Sequence, residues 1–126
     1  LDATVAFLRD SVAAAEKKMP QLVPLAKARA GFAYAVIRKA REMGVEVSAG
    51  TDGLFDDDDP PLPAIHREMA TLVEDCGFTP SEAIIAATRI SARALGIAAT
   101  HGSIETGRAA DLVVLKADPS CPVCGG

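Results

Sequence analysis

The chain has 126 residues, of which 49% are hydrophobic and 24% charged, a balance that suits one globular domain and excludes a disordered chain. A net charge of −4 and a pI near 5.1 exclude the clustered basic surface that nucleic-acid binding needs. No apolar stretch approaches the length of a membrane span, and with 4% aromatic residues and no Trp the core has to be aliphatic.

The opening, Asp2 to Leu8, leaves two readings open. Asp2 suits a helix cap ahead of an apolar stripe at Val5, Leu8, Val12 and Ala15, whereas Thr4, Val5 and Phe7 suit a strand end. The helix, running to about Lys18, is the favoured one. Pro20 and Pro24 then mark a break. A second helix is predicted from about Lys27 to Met43, with Phe32, Val36, Ile37, Ala40 and Met43 on its inner face. Arg38, Lys39, Arg41 and Glu42 would face solvent, and Gly44 stands where a helix-ending glycine belongs.

Val45 to Ala49 alternates β-branched and polar residues, which predicts a short strand ending in Gly50-Thr51-Asp52-Gly53. A helix, a glycine, a strand and a polar turn make the rhythm of an α/β unit, whose ligand chemistry sits at the carboxyl end of the strand. Asp52 occupies that place. Residues 54–63 form a loop by composition, with the like-charged run Asp56 to Asp59 and three prolines. Those four aspartates lack the spaced ligands and glycine of a calcium loop.

The next helix is predicted from about Pro63 to Cys76, with Ile65, Met69, Leu72, Val73 and Cys76 inward and Gly77 as its stop. Thr79-Pro80-Ser81-Glu82 is a capping box with Pro at the first helical position. It starts a helix to about Leu95, with Ile84, Ala87, Thr88, Ser91, Ala92 and Leu95 inward and Gly96 beyond. Further on, Gly107 supplies a turn, and Leu112 to Leu115 reads as a buried strand.

Three segments together resemble the C-terminal end of the amidohydrolase superfamily, in the branch around imidazolonepropionase and prolidase-like hydrolases. Val47-Ser48-Ala49-Gly50-Thr51-Asp52 is similar to the eighth barrel strand and its terminal aspartate. His66-Arg67-Glu68-Met69, continuing through Gly77-Phe78-Thr79-Pro80-Ser81-Glu82-Ala83 to Ala86-Ala87-Thr88, resembles the paired helices that follow. Gly102-Ser103-Ile104-Glu105-Thr106-Gly107-Arg108-Ala109-Ala110-Asp111-Leu112-Val113-Val114-Leu115 resembles the return into the small β-domain flanking the barrel. The resemblance covers roughly residues 28–119, and the first 27 residues would continue it as the end of an earlier strand and its helix.

The resemblance implies an α/β parent, a TIM (β/α)8 barrel with a small β-sandwich domain, in which residues 1–101 belong to the barrel and 102–126 to the flanking domain. A complete barrel takes roughly 250 residues, so this chain is expected to be a mostly helical fragment with a few short strands. Leu1 is not an initiator methionine, in keeping with a piece of a longer protein. The implied activity is hydrolysis of a C–N bond in a cyclic amide, amidine or dipeptide-like small molecule. Asp52 would ligate a divalent metal, zinc by family habit, and move a proton between the metal-bound water and the leaving nitrogen.

The other expected ligands are not here. The family's barrel uses a His-x-His pair, a bridging ligand and two further histidines, whereas this chain has His66 and His101, neither in such a context. One carboxylate does not hold a catalytic metal, so the fragment alone is expected to bind none and to be inactive. Taken alone, Thr51-Asp52-Gly53 is also an ordinary turn after a strand.

His66 lies just off the apolar stripe of its helix and is a candidate substrate contact, although a solvent-facing or capping histidine reads equally well. Glu68, two residues on, does not pair with it as a helical metal ligand. Cys121 and Cys124 form one Cys-x-x-Cys in a Pro/Gly-rich tail, short of the second pair that structural zinc needs. The odd cysteine count points to a reducing cytoplasm.

An alternative function is a free-standing, non-catalytic assembly domain derived from an amidohydrolase. On either reading, aliphatic helix faces without a barrel to cover would drive homo-oligomerisation.

Overall fold

The computed structural model describes residues 1–52 and 64–120. Gly53, the Asp56 to Asp59 run, Pro63 and the Cys121/Cys124 pair lie outside the described residues. In chain order the elements are β1 (Asp2–Ala3), α1 (Ala6–Lys18), a 3-10 turn (Pro20–Leu22), α2 (Val23–Glu42), β2 (Ser48–Ala49), α3 (Ala64–Glu74), α4 (Pro80–Ile85), a π-helical turn (Ala86–Ile90) and α5 (Ser91–Ala94). Among the described residues the chain is therefore mostly helical with two short strands.

The opening is a strand and then a helix. Asp2 pairs with Ser48 and Ala3 with Ala49 in a parallel ladder, and α1 begins only at Ala6. Asp2 is thus no helix cap; the N-cap of α1 is Val5, with no side-chain cap of its own. Parallel neighbours require a crossover, and α1 with α2 supplies it, giving a β-α-α-β unit.

Proline and glycine set the limits of α2. Pro24 occupies its first turn, where a missing N–H costs nothing, so the helix starts at Val23, ahead of the predicted Lys27. At its end Gly44 has φ +74°, Gly44 N–H donates to Arg41 O (3.0 Å) and Val45 N–H to Ala40 O (3.0 Å). This is a Schellman closure of the last carbonyls.

The buried face of α2 differs from the predicted one. Ala30 and Ile37 are buried and Ala33, Tyr34 and Ala40 pack at the edge of the core, whereas Phe32 is 73% exposed and Val36 and Met43 are also exposed. α1 packs along α2 on the side that carries Ala30 and Tyr34, which leaves Phe32 and Val36 on the side turned to solvent.

The core gathers Ala3, Val5, Ile37, Val47, Leu72, Cys76, Phe78, Ala83 and Ala86 between the two strands and the helices. α3 contributes Leu72, with Met69 and Val73 at its edge, as its periodicity predicts. The capping box of α4 is formed in full: Thr79 Oγ1 accepts from Glu82 N–H (3.2 Å) and Glu82 Oε2 accepts from Thr79 N–H (2.7 Å).

The helical run from Pro80 to Ala94 is interrupted by the π turn, which inserts an extra residue and rotates the register. Ala83, Ala86 and Ala92 are therefore the buried positions, while Thr88 and Leu95, expected inward, are exposed. Gly96 (φ +73°) closes α5 by the same Schellman pattern, through Gly96 N–H to Arg93 O and Ile97 N–H to Ala92 O.

Beyond Ala94 no helix or strand occurs among the described residues. Leu112 to Leu115 is not a buried strand here. All four residues are exposed, Val114 by 95%, because a strand needs a neighbouring edge and none is offered to it among the described residues. Gly107, at φ +88°, does make the expected turn. None of the described helices is long and apolar enough to cross a membrane.

Candidate active site at the end of β2

Side chains alternate along a strand, so Val47 and Ala49 of the β2 segment point to the core while Ser48 and Gly50 belong to the other face. β1 repeats the pattern, with Ala3 buried in the core and Asp2 across from Ser48. Two ladder bonds hold the strands, Ser48 N–H to Leu1 O (2.8 Å) and Gly50 N–H to Ala3 O (2.7 Å). The second is the last one before Asp52.

Ser48 Oγ donates to Asp2 Oδ1 at 2.8 Å. A Cβ at residue 50 would lie 2.6 Å from Asp2 Oδ2 and 2.9 Å from Oδ1, so glycine there is what allows the Asp2 carboxylate to lie against the β2 backbone. Asp52 follows as an exposed residue with φ +41°, in the left-handed region that non-glycine residues seldom enter. An outlier of this kind at a strand terminus is where functional sites hold strain. Asp52 stands three residues beyond Ala49, the last residue of the parallel strand β2.

The second side of the corner comes from α3, whose Glu68 is fully buried (0% exposed). Its Oε1 accepts from Val5 N–H (3.0 Å) and its Oε2 from Ala6 N–H (2.7 Å), so a carboxylate on α3 caps the N-terminus of α1. This replaces the missing cap at Val5 and places a negative charge at the positive end of the helix. Burial pushes the Glu68 carboxyl above its ordinary value; the two backbone N–H bonds pull the other way, and the charge of Asp2 adds to the rise. Sequence reasoning passed over this residue as a ligand and did not see its role. The available signal was its place inside the apolar stripe, three residues after Ile65 and four before Leu72.

Of the remaining candidates, His66 is exposed on α3. His101 is tied into the terminal loop, with Nδ1 2.7 Å from Thr100 Oγ1 and Nε2 3.3 Å from Asp111. The same loop is anchored by Arg108 to the carbonyls of Ala98 and His101. It crosses the π turn at Gly102 (φ +92°), and the π turn packs on β2, where Ser91 Oγ donates to Ala86 O (2.8 Å) and approaches Ala49 O (3.4 Å). No group of three or more His, Cys, Asp or Glu side chains that could hold a metal ion occurs among the described residues.

The family model described as "Amidohydrolase family" matches residues 3–125. An imidazolonepropionase of Flavobacterium psychrophilum is 33% identical over 100 residues, covering 79% of this chain and 24% of the relative. Those of Salmonella typhimurium (40% over 78 residues, 62% of this chain and 19% of the relative) and Symbiobacterium thermophilum (37% over 83 residues, 66% and 19%) are similar in the same way. No solved structure matches. The chain thus spans a quarter or less of the length of these curated relatives.

Proposed function

Since the chain belongs to the amidohydrolase family, we propose that it is the C-terminal part of a metal-dependent hydrolase that opens a C–N bond in a small cyclic amide, amidine or dipeptide-like substrate. The observation that carries this is Asp52, placed by a parallel β-α-α-β crossover at the carboxyl end of β2 with a left-handed backbone. In such a fold the strand end is where chemistry is done, and imidazolonepropionases are among the relatives of the chain.

The metal belongs to the complete barrel, and zinc is our choice for it. No group of three donors occurs among the described residues, and in this reading Asp52 contributes one carboxylate to a ligand set that the complete barrel supplies. His66, exposed on α3, is the proposed substrate contact. We assign the protein to the cytoplasm on its odd cysteine count.

The test uses a complete protein that contains this chain. Asp52→Asn should lower hydrolysis of imidazolone-type rings by at least about a hundredfold, and the 126-residue chain alone should show none. Full activity in the Asp52→Asn protein would end this reading.

A second reading, a non-catalytic assembly domain, draws on the exposed apolar residues Leu25, Phe32, Val36 and Met43 of the α2 region and on Leu112 to Leu115. Such faces favour self-association on either reading. Sedimentation of the chain should show a homo-oligomer, and a monomer at high concentration would remove this expectation.

A further inference from the structure

We propose that Glu68 is a positioning residue for Asp52, acting through the β1–α1 corner. The backbone connects the two in four steps. Glu68 holds the N–H groups of Val5 and Ala6 (3.0 and 2.7 Å), which fixes where the chain leaves β1. The last residue of β1 is Ala3, and its carbonyl accepts the N–H of Gly50 at 2.7 Å. Gly50 is two residues from Asp52, whose left-handed backbone (φ +41°) persists only while its neighbours are held. Glu68 itself lies on α3, which packs on β2, so one carboxylate links that helix to the β1–α1 corner.

The attachment is well suited to that role. A carboxyl group presents an oxygen to each of two converging N–H groups, whereas an amide at residue 68 would present only one. The sheet alone is a weak anchor, because β1 and β2 are two residues each and parallel. The groups around the carboxylate also constrain it. Asp2 from β1 adds negative charge, and Tyr34 from α2 and Cys76, two residues beyond α3, sense it. Isolated caps of this kind are common as purely local devices, so the distinguishing feature is the coupling to Gly50 and Asp52.

The importance of Asp52 rests on the function proposed above, but the coupling does not, and it is tested on the 126-residue chain without any activity. In native-state hydrogen exchange, the amides of Ala6 and Gly50 should open as one unit, with the same dependence on denaturant. Glu68→Gln, which keeps the shape but removes an acceptor, should accelerate exchange at Val5, Ala6 and Gly50 by about tenfold or more and shift the Asp52 carboxyl carbon resonance. Glu68→Asp should restore part of the protection. If Glu68→Gln accelerates Val5 and Ala6 but leaves Gly50 and the Asp52 resonance as in the parent chain, Glu68 is a helix cap and the proposal is overturned. Should the variant not fold, independent opening of Ala6 and Gly50 in the unsubstituted chain overturns it equally.

Discussion

The carboxylate of Glu68 on α3 accepts the N–H of Ala6, the first residue of α1, at 2.7 Å, across 62 residues of sequence. With the companion bond from Val5, it satisfies two buried donors that no nearer side chain reaches. Removing it leaves both uncapped in the core and opens a cavity beside Leu72. Glu68→Ala should therefore cost about 2–4 kcal/mol of stability, read as a lowered urea midpoint. A cost below about 0.5 kcal/mol would show that water takes over the cap.

Two glutamates should give stability opposite dependences on pH. The folded-state pKa of Glu68 is raised above its ordinary 4.5, chiefly by burial, so its contribution is fully present below that value and is lost as pH rises through the folded pKa. Glu82 is lowered, first by the Thr79 N–H and then by Arg41, whose guanidinium pairs with it at 2.9 Å. Its contribution is present above 4.5 and lost as pH falls through the folded pKa. Tm measured against pH should lose its downward slope on the rising side in Glu68→Gln. In Glu82→Gln it should lose the upward slope on the acid side.

The two glycines at close approaches should respond differently to alanine. At Gly50 the new Cβ meets the end of the Asp2 side chain, which can swing away by giving up its hydrogen bond from Ser48 Oγ. A cost under about 1 kcal/mol is expected, vanishing in an Asp2→Ala background. At Gly102 it meets Ala92 Cβ at 2.7 Å and the backbone of Arg89 and Thr88 at 3.1 Å, and φ is +92°. There about 2–4 kcal/mol is expected. Chemical denaturation of Gly50→Ala, Gly102→Ala, Asp2→Ala and the Gly50→Ala/Asp2→Ala double variant decides, and an equal cost at both positions would contradict the packing described.

Asp52 itself should be dispensable for folding. It is exposed and its left-handed backbone suits glycine better. Asp52→Gly should leave the chain as stable or stabilise it by up to about 1 kcal/mol, while removing hydrolysis in the complete protein. Marked destabilisation by this change would mean that the carboxylate has a structural partner.

Cys76 should be the unreactive thiol of this chain. It is fully buried, and burial pushes its pKa up to about 11. In a Cys121→Ser/Cys124→Ser background, alkylation at neutral pH should be at least roughly a hundredfold slower than for an exposed cysteine, and urea should restore it. Rapid labelling of the folded protein would place Cys76 outside the core.

Local chemistry made much of this legible in advance. The Thr79–Glu82 capping box, the helix ends at Gly44 and Gly96 and the inner positions Met69, Leu72 and Val73 of α3 follow from contacts within a few residues, whereas the strand expected over Val45 to Ala49 formed only at Ser48–Ala49, where β1 pairs with it. The resemblance that drew attention to Asp52 lies in the same short stretches, and the family match agrees with it.

Local residues dictate the ends of α2 and α5 at Gly44 and Gly96, the start of α4 at Thr79 and the turn that carries Asp52, because caps and glycines act over one or two turns. Tertiary structure alone decided which residues those elements meet. Asp2 and Ala3 became a strand because β2 offers them an edge, and α2 turned Phe32 outward because α1 packs on the side of Ala30 and Tyr34. The π turn rotated the inner face of the last helical run, and Leu112 to Leu115 stayed exposed for want of an edge to join. Glu68 is the sharpest case. A charged residue in an apolar stripe is unfavourable until a helix N-terminus 62 residues away brings two N–H groups to it, and no local pattern records that meeting.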